Sequence, residues 1–276
     1  MPTYIQRLTS NGLENVDYTA DNLKSAAEHE PDGIYTVTNT YNVTQTLMFD
    51  AHLDRLEDSA RRENIPFTLN RKRLKSTLRQ MILYSGFDAD IRFRITVPRD
   101  KADQMILTIE PFRPPDHILI ENGTCCITSS SLARHNPAAK TTGWMHDRQS
   151  LEQAMPAGIY DTFLVSPDGL LLEGLASNFY AILNGELRTA GEGVLPGIAQ
   201  KIVFEICQGI IPLRKEAVYV DDIPHLSEAF LTSSSRGIIP VVEIDGFPIG
   251  DGTVGRKTLE LRRAYTAWVQ DHLEEL

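Results

Sequence analysis

Between Leu170 and Gln200 the chain reads L-L-L-E-G-L-A-S-N-F-Y-A-I-L-N-G-E-L-R-T-A-G-E-G-V-L-P-G-I-A-Q. Two apolar, strand-like runs flank a tight Asn184-Gly185 turn, and a Pro196-Gly197 pair then opens a helix. The first run ends in a carboxylate, Glu173, which an apolar neighbourhood tolerates only if the group is solvated or partnered. The helix start Leu195-Pro196-Gly197-Ile198-Ala199-Gln200 offers backbone N–H groups to an anion. Thirty residues upstream, Lys140 lies in H-N-P-A-A-K-T-T-G-W. A lysine there is either an exposed charge on a loop or a desolvated amine, and burial would lower its pKa and free its lone pair to attack a carbonyl.

Composition narrows the classes. A chain of 276 residues with 42% hydrophobic and 23% charged residues is that of a soluble globular protein of one large or two ordinary domains. A formal charge of −10 argues against a nucleic-acid or anionic-membrane partner. Residues 1–22 are polar and show no secretory apolar region, and no apolar run approaches the ~20 residues that span a bilayer. Cys125, Cys126 and Cys207 form neither a metal pattern nor an even disulfide framework, so a reducing cytoplasm is expected and no metal site. Cys126, in a β-like run, reads as a small core residue.

Along the chain, Pro31-Asp32-Gly33 signals a turn, and the alternating I-Y-T-V-T-N-T-Y after it predicts a strand. A second strand is expected over 45–49. Asp50 is a plausible cap for the helix that carries Leu53, Leu56 and Ala60 on one face. Asn70 would cap the next, with Leu74, Leu78, Met81 and Ile82 at helical spacing. Strands follow over 91–97 and 104–111, completing a compact α+β unit. The F-R-P-P-D run at 112–116 removes backbone donors and marks a boundary. The expected organisation is therefore a small α+β domain over 1–113, a linker at 114–117 and a larger domain over 118–276. In the second domain, strands are expected at 118–129, 163–166, 170–172, 178–183, 217–220, 228–232 and 241–244. Helices are expected at 150–155, 198–207 and 258–272. Its strands succeed one another by short turns, which makes the domain mixed rather than doubly wound.

Three blocks carry a family resemblance: E-x-x-x-S-N-F beginning at Glu173, L-P-G-I beginning at Leu195, and H-x-x-R-L-x-x-S-A beginning at His52. At this spacing they resemble the fold-type IV pyridoxal-phosphate enzymes, which include branched-chain and D-amino acid aminotransferases and aminodeoxychorismate lyases. The resemblance runs from about Asp32 to the last helix. It implies a two-domain mixed α/β fold, pyridoxal 5′-phosphate as cofactor, and Lys140 as the lysine that bonds covalently to it and shuttles the substrate proton. Glu173 would face the pyridine nitrogen and keep it protonated. Arg55 would bind the phosphate with its planar fork, although a helical arginine amid acids could equally make ordinary surface pairs. The backbone N–H groups of Ile198 and Ala199 and the hydroxyl of Ser234 would complete the phosphate cup. Ser235 falls where the family turns backbone N–H groups toward the substrate carboxylate. Tyr35, after D-G-I, matches a pocket tyrosine of the D-amino acid enzymes, or is a core tyrosine. Arg92 and Arg94 share a sheet face; they are solvated, ion-paired, or placed for a carboxylate substrate.

Gly143 stands where many relatives have asparagine, and I-A-Q replaces I-T-R, so Ala199 lacks a hydroxyl. The pocket near Lys140 is thus expected to differ from that of standard members, with Trp144, His146 and Arg148 as specificity candidates and Arg148 available to a second carboxylate. The implied activity is a ping-pong transfer of an amino group between an amino acid, of D- or branched-chain type, and a 2-oxo acid. The alternative is a lyase releasing pyruvate from aminodeoxychorismate. A non-catalytic relative is disfavoured by the joint presence of Arg55, Lys140 and Glu173. Partners would be small amino and keto acids, and the enzyme a homodimer with its active site near the subunit interface.

Overall fold

The structure, a computed structural model, describes residues 3–276. The first elements are β1 (Tyr4–Thr9), β2 (Gly12–Asn15), α1 (Leu23–Ala26, running into a 3-10 turn at Ala27–His29), β3 (Gly33–Tyr41) and β4 (Gln45–Leu47). Then come α2 (Phe49–Arg62), α3 (Arg71–Tyr84), β5 (Ile91–Pro98), β6 (Met105–Pro111), α4 (His117–Asn122), β7 (Thr124–Ser129), α5 (Thr142–Asp147) and α6 (Gln149–Ala154). The remainder is β8 (Ile159–Val165), β9 (Leu171–Gly174), β10 (Ser177–Leu183), β11 (Glu186–Arg188), α7 (Ile198–Ile206), β12 (Leu213–Arg214), β13 (Glu228–Ser233), β14 (Gly237–Ile244), β15 (Phe247–Pro248), α8 (Arg256–Asp271) and β16 (Leu273–Glu275).

The chain divides into two compact units. The first runs to Arg113 and takes in Ala139–Asp147 and His272–Leu276; the second comprises Pro114–Ala138 and Arg148–Asp271. The expected domain over 118–276 is therefore not continuous: the Lys140 segment and the last strand go with the first unit. The last strand joins by pairing and the Lys140 segment by a single bridge. Ile34 bridges Thr141 at the edge of β3, and β16 pairs with β4.

The first unit is built on a seven-stranded sheet of order β16-β4-β3-β5-β6-β1-β2, antiparallel throughout. One face carries the side chains of Ile34, Phe93, Ile95 and Val97, which pack with Phe49, Leu53 and Leu56 of α2 and Leu74 and Leu78 of α3. Phe49 meets Phe93 edge to face, the arrangement that the ring quadrupoles favour. The α3 cap is the expected one: Asn70 Oδ1 accepts the Arg73 N–H at 3.0 Å. The start of α2 is not. The helix begins at Phe49, after Met48 in the left-handed region with φ 49°, and Asp50 lies inside the first turn. Glu274 Oε1 from β16 instead accepts the Phe49 N–H at 2.8 Å. A carboxylate 225 residues away thus takes the capping task that local spacing assigns to Asp50.

In the second unit β9 pairs with both β8 and β10, so β10-β13-β14-β7-β8-β9 closes on itself, with β11 and β12 extending beyond β10. Phe163, Phe179, Leu231, Ile239, Val241 and Cys126 meet in its core. Burial pushes the Cys126 thiol well above its usual pKa, as suits an inert packing residue. Two segments differ from expectation. Residues 118–122 are helical, since Asp116 Oδ1 caps the Ile118 N–H at 3.0 Å, and the strand begins at Thr124. The stretch 217–220 is not a strand: Leu170 bridges Tyr219 alone, and a 3-10 turn starts at Val220. Among the described residues, no helix is long and apolar enough to cross a membrane.

Candidate active site

In the first unit the backbone of Lys140 is held on both sides. Its carbonyl accepts the Tyr35 N–H at 3.0 Å, and its own N–H donates to Ser59 Oγ at 3.1 Å. Ser59 in turn donates to the Arg55 carbonyl at 2.8 Å, so the lysine is tied to both β3 and α2. Thr142 hydrogen-bonds the carbonyls of Pro31 and Gly33, at 2.9 and 3.2 Å. The Lys140 ammonium lies 4.7 Å from the centroid of the Tyr35 ring. An aromatic face attracts a cation, so the Tyr35 ring is a favourable seat for the ammonium. Tyr35 is buried.

Arg55, one helical turn before Ser59, is also buried. Its Nη2 lies 3.4 Å from Thr36 Oγ1, which is 2.9 Å from His52 Nδ1. His52 and Arg55 therefore emerge from the same face of α2 beneath β3, the outcome of their three-residue spacing. Of the acids around Arg55, Asp54 and Glu57 pair with Arg71.

In the second unit Glu173, on β9, is 2% exposed. Its carboxylate accepts the Leu195 N–H at 3.2 and 3.1 Å and lies 3.1 Å from Arg134 Nη1. Both side chains of this ion pair are buried, and hydrogen bonds to a charge are what make such burial tolerable. Asn178, opposite Glu173 in the β9–β10 register, donates to the Leu195 carbonyl at 2.9 Å. Leu195 is thus clamped through both its backbone groups. The turn joining β9 and β10 is fixed by Asp161, which accepts the Leu175 N–H at 3.1 Å and the Ser177 hydroxyl at 2.7 Å.

Leu195 leads directly into α7. Gly197 precedes the first turn, and no side chain caps it. The N–H groups of Ile198 and Ala199 open a helix whose dipole favours negative charge at that end. Only glycine fits at 197, because a Cβ there would lie 2.0 Å from Asn178 Oδ1. Gly197→Ala is expected to displace the Asn178 amide from Leu195 and lower stability by about 1–3 kcal/mol. Urea unfolding of the variant checks this.

Ser234 and Ser235 sit in the tight turn between β13 and β14, whose register pairs Ser233 with Gly237. Arg236 braces that turn through Ser233 Oγ at 2.8 Å and the Ala176 carbonyl at 3.2 Å. Three candidates are engaged within the protein. Arg94 pairs with Glu30. Arg148 pairs with Glu152 at 3.0 Å and donates to the Leu175 carbonyl at 2.9 Å. Trp144 is 5% exposed and belongs to the interior. Arg92, exposed on β5, pairs with Glu110 at 3.5 Å. His146 Nε2 lies 3.0 Å from the Ala27 carbonyl.

Sequence reasoning passed over Arg134, Ser59, Thr36, His52 and the Leu195 clamp. His52, Ser59 and Asn178 stand inside quoted motifs, so a signal existed for them. Nothing local marks Arg134, whose partner is 39 residues away.

The sequence profile of the family described as amino-transferase class IV matches residues 33–244. D-alanine aminotransferase of Bacillus licheniformis is 28% identical over 247 residues, covering 84% of this chain and 86% of the relative. Among solved structures, the branched-chain amino acid aminotransferase of Escherichia coli superposes with TM-score 0.81 at 20% identity, covering 100% of this chain and 99% of that one. The T.th. branched-chain amino acid aminotransferase, solved with pyridoxamine 5′-phosphate, gives TM-score 0.80 at 19% identity and covers 98% of each chain. At such identities the superpositions establish the fold.

Proposed function

We propose that this chain, which belongs to the class IV aminotransferases, moves an amino group from an amino acid to a 2-oxo acid in two half-reactions, with Lys140 as the proton-carrying amine. The family's cofactor is pyridoxal 5′-phosphate. The relatives named above are transaminases, which favours transamination over release of pyruvate by a lyase.

The donor groups fit such a cofactor unit by unit. Arg55 supplies a buried planar guanidinium suited to a phosphate. The uncapped start of α7 supplies the N–H groups of Ile198 and Ala199, and Ser234 supplies a hydroxyl. Glu173 supplies a carboxylate for the ring nitrogen, its charge balanced by Arg134 and the Leu195 N–H. When bound, pyridoxal phosphate supplies an electron sink for the pair left when the substrate's α-proton departs. Lys140 Nζ would take that proton and deliver it to the cofactor's C4′ atom. Tyr35 would hold the amine in place and line the pocket, and the turn at Ser235 would receive the substrate carboxylate.

One observation carries this reading: Lys140 is fixed through its backbone at both ends, while its ammonium rests on an aromatic face. That is the support expected of an amine whose position matters. The test is a spectrophotometric panel of L- and D-amino donors against the yellow holoenzyme. Bleaching by one donor, with colour restored by a 2-oxo acid, is expected. A protein that bleaches with none, or that releases pyruvate from aminodeoxychorismate, overturns transamination. Arg55→Met should weaken cofactor binding about 10- to 100-fold, the effect of losing hydrogen bonds to a charged group. Equilibrium dialysis measures it.

The donor is proposed to be a D- or branched-chain-type amino acid, and the working form a homodimer with its active site near the subunit interface. A fully active monomer in sedimentation would refute the second point. Free Cys125, Cys126 and Cys207 suit a reducing cytoplasm.

A further inference from the structure

Thr36 is a polar residue in an apolar layer. Consecutive residues of a strand point to opposite faces, so Thr36 turns away from Tyr35 and stands with Ile34 on the face that α2 covers. Its register partner on β5 is Ile95, and Ile34 lies opposite Val97. Ile34, Ile95 and Val97 pack there with Leu53 and Leu56 of α2. Thr36 and His52 are both buried. Valine would fill the place of Thr36 with no hydroxyl to desolvate, so a threonine here needs its hydroxyl satisfied from within the protein.

The two partners of that hydroxyl fix which way it points. Arg55 Nη2 lies 3.4 Å from Thr36 Oγ1, and His52 Nδ1 lies 2.9 Å from it. A guanidinium only donates, so Thr36 presents a lone pair to Arg55 and gives its single proton to the imidazole. His52 then turns its Nδ1 lone pair to Thr36 and carries its own proton on Nε2. A proton on Nδ1 instead would leave the buried hydroxyl proton without an acceptor. Direction therefore runs one way along the row, from Arg55 to Thr36 to His52.

We propose that Thr36 and His52 are positioning residues for Arg55: His52 sets the direction of the Thr36 hydroxyl, and the hydroxyl oxygen holds the guanidinium in the attitude that receives the cofactor phosphate. The proposal rests on Arg55 binding that phosphate. A planar fork meets a phosphate with two parallel N–H groups only when its plane is correctly turned. A long side chain left to itself spreads over many rotamers. A hydrogen bond at its far end selects among them before the phosphate arrives, so less freedom is lost on binding.

The test compares pyridoxamine 5′-phosphate with pyridoxamine, by equilibrium dialysis against the full chain freed of cofactor. Neither ligand bonds covalently to Lys140, so the ratio of their dissociation constants isolates what the phosphate contributes. Thr36→Val should cut that ratio at least about fivefold, the loss of one hydrogen bond. The affinity for pyridoxamine should stay within about twofold of wild type. Thr36→Ser, which keeps the hydroxyl, should restore the ratio. His52→Leu, which takes the acceptor away, should lower it as Thr36→Val does. In an Arg55→Met background Thr36→Val should change the ratio no further, because the two residues act through one contact. A residue that merely supports the fold would weaken both ligands alike. An unchanged ratio in Thr36→Val, an equal loss for both ligands, or a serine variant as impaired as the valine one would each overturn the proposal. Should Thr36→Val not fold, His52→Leu and Thr36→Ser decide it by the same ratio. If Arg55→Met itself leaves the ratio unchanged, Arg55 is not the phosphate ligand, and the proposal falls with that assignment; if Arg55→Met collapses the ratio and Thr36→Val does not move it, the proposal alone falls.

Discussion

Lys140→Ala is expected to lower turnover about 10⁴-fold, the upper end of what a positioned acid–base group contributes, while the fold stays intact. The reason lies in how residue 140 is held. Its contacts to Tyr35 and Ser59 run through backbone atoms, which alanine keeps. What disappears is the ammonium over the Tyr35 ring, worth about 0.5–2 kcal/mol. Activity and stability should therefore separate cleanly: circular dichroism and melting close to wild type, catalysis almost gone. Borohydride treatment of the holoenzyme followed by peptide mass analysis should fix the cofactor onto residue 140, and should leave the alanine variant unlabelled. A variant that retains ordinary turnover removes the mechanism.

The second large effect concerns Glu173, where two replacements divide two roles. Glu173→Gln keeps an oxygen for the Leu195 N–H and for Arg134 but loses the charge. Its turnover should fall about 10²- to 10³-fold, the scale of one lost preorganised electrostatic contact, with a modest change in melting. Glu173→Ala also takes the carboxylate from beside the buried Arg134 guanidinium and releases the Leu195 N–H. Breaking a buried ion pair from one side costs about 3–5 kcal/mol, so melting should drop on the order of 10 °C. Calorimetry and steady-state rates on both variants test this. Equal melting for the two would mean that the pair contributes little to the fold. Equal rates for Glu173→Gln and the wild type would deny the carboxylate any electrostatic part in the chemistry.

Elements whose cause lies within a few residues could be read directly. Asn70 caps α3 by reaching three residues along the chain, and the alternation after Gly33 makes β3 whatever it pairs with. The Pro-Gly start of α7 was equally plain, because those two residues dictate backbone angles. Where a distant group supplied the decisive contact, local signals misled. Asp50 looked like the start of α2 until Glu274 proved to hold the Phe49 N–H. The Arg92 and Arg94 alternation placed both side chains on one face, yet could not say that one would be exposed beside Glu110 and the other buried against Glu30.

The sequence by itself determined the family, the strand and helix types of most segments, and the identity of the lysine, carboxylate and arginine that carry its motifs. The family and those three residues follow from the resemblance that the motif blocks carry, and the segment types from local conformational preference. Tertiary structure alone decided that the Lys140 segment bridges to the edge of β3, that Arg134 stands against Glu173 across 39 residues, and that Glu30 reaches Arg94 across 64. Those outcomes depend on strand register and burial, and the strength of a charge pair is set by the water excluded around it, which no stretch of chain specifies until the fold has closed over it.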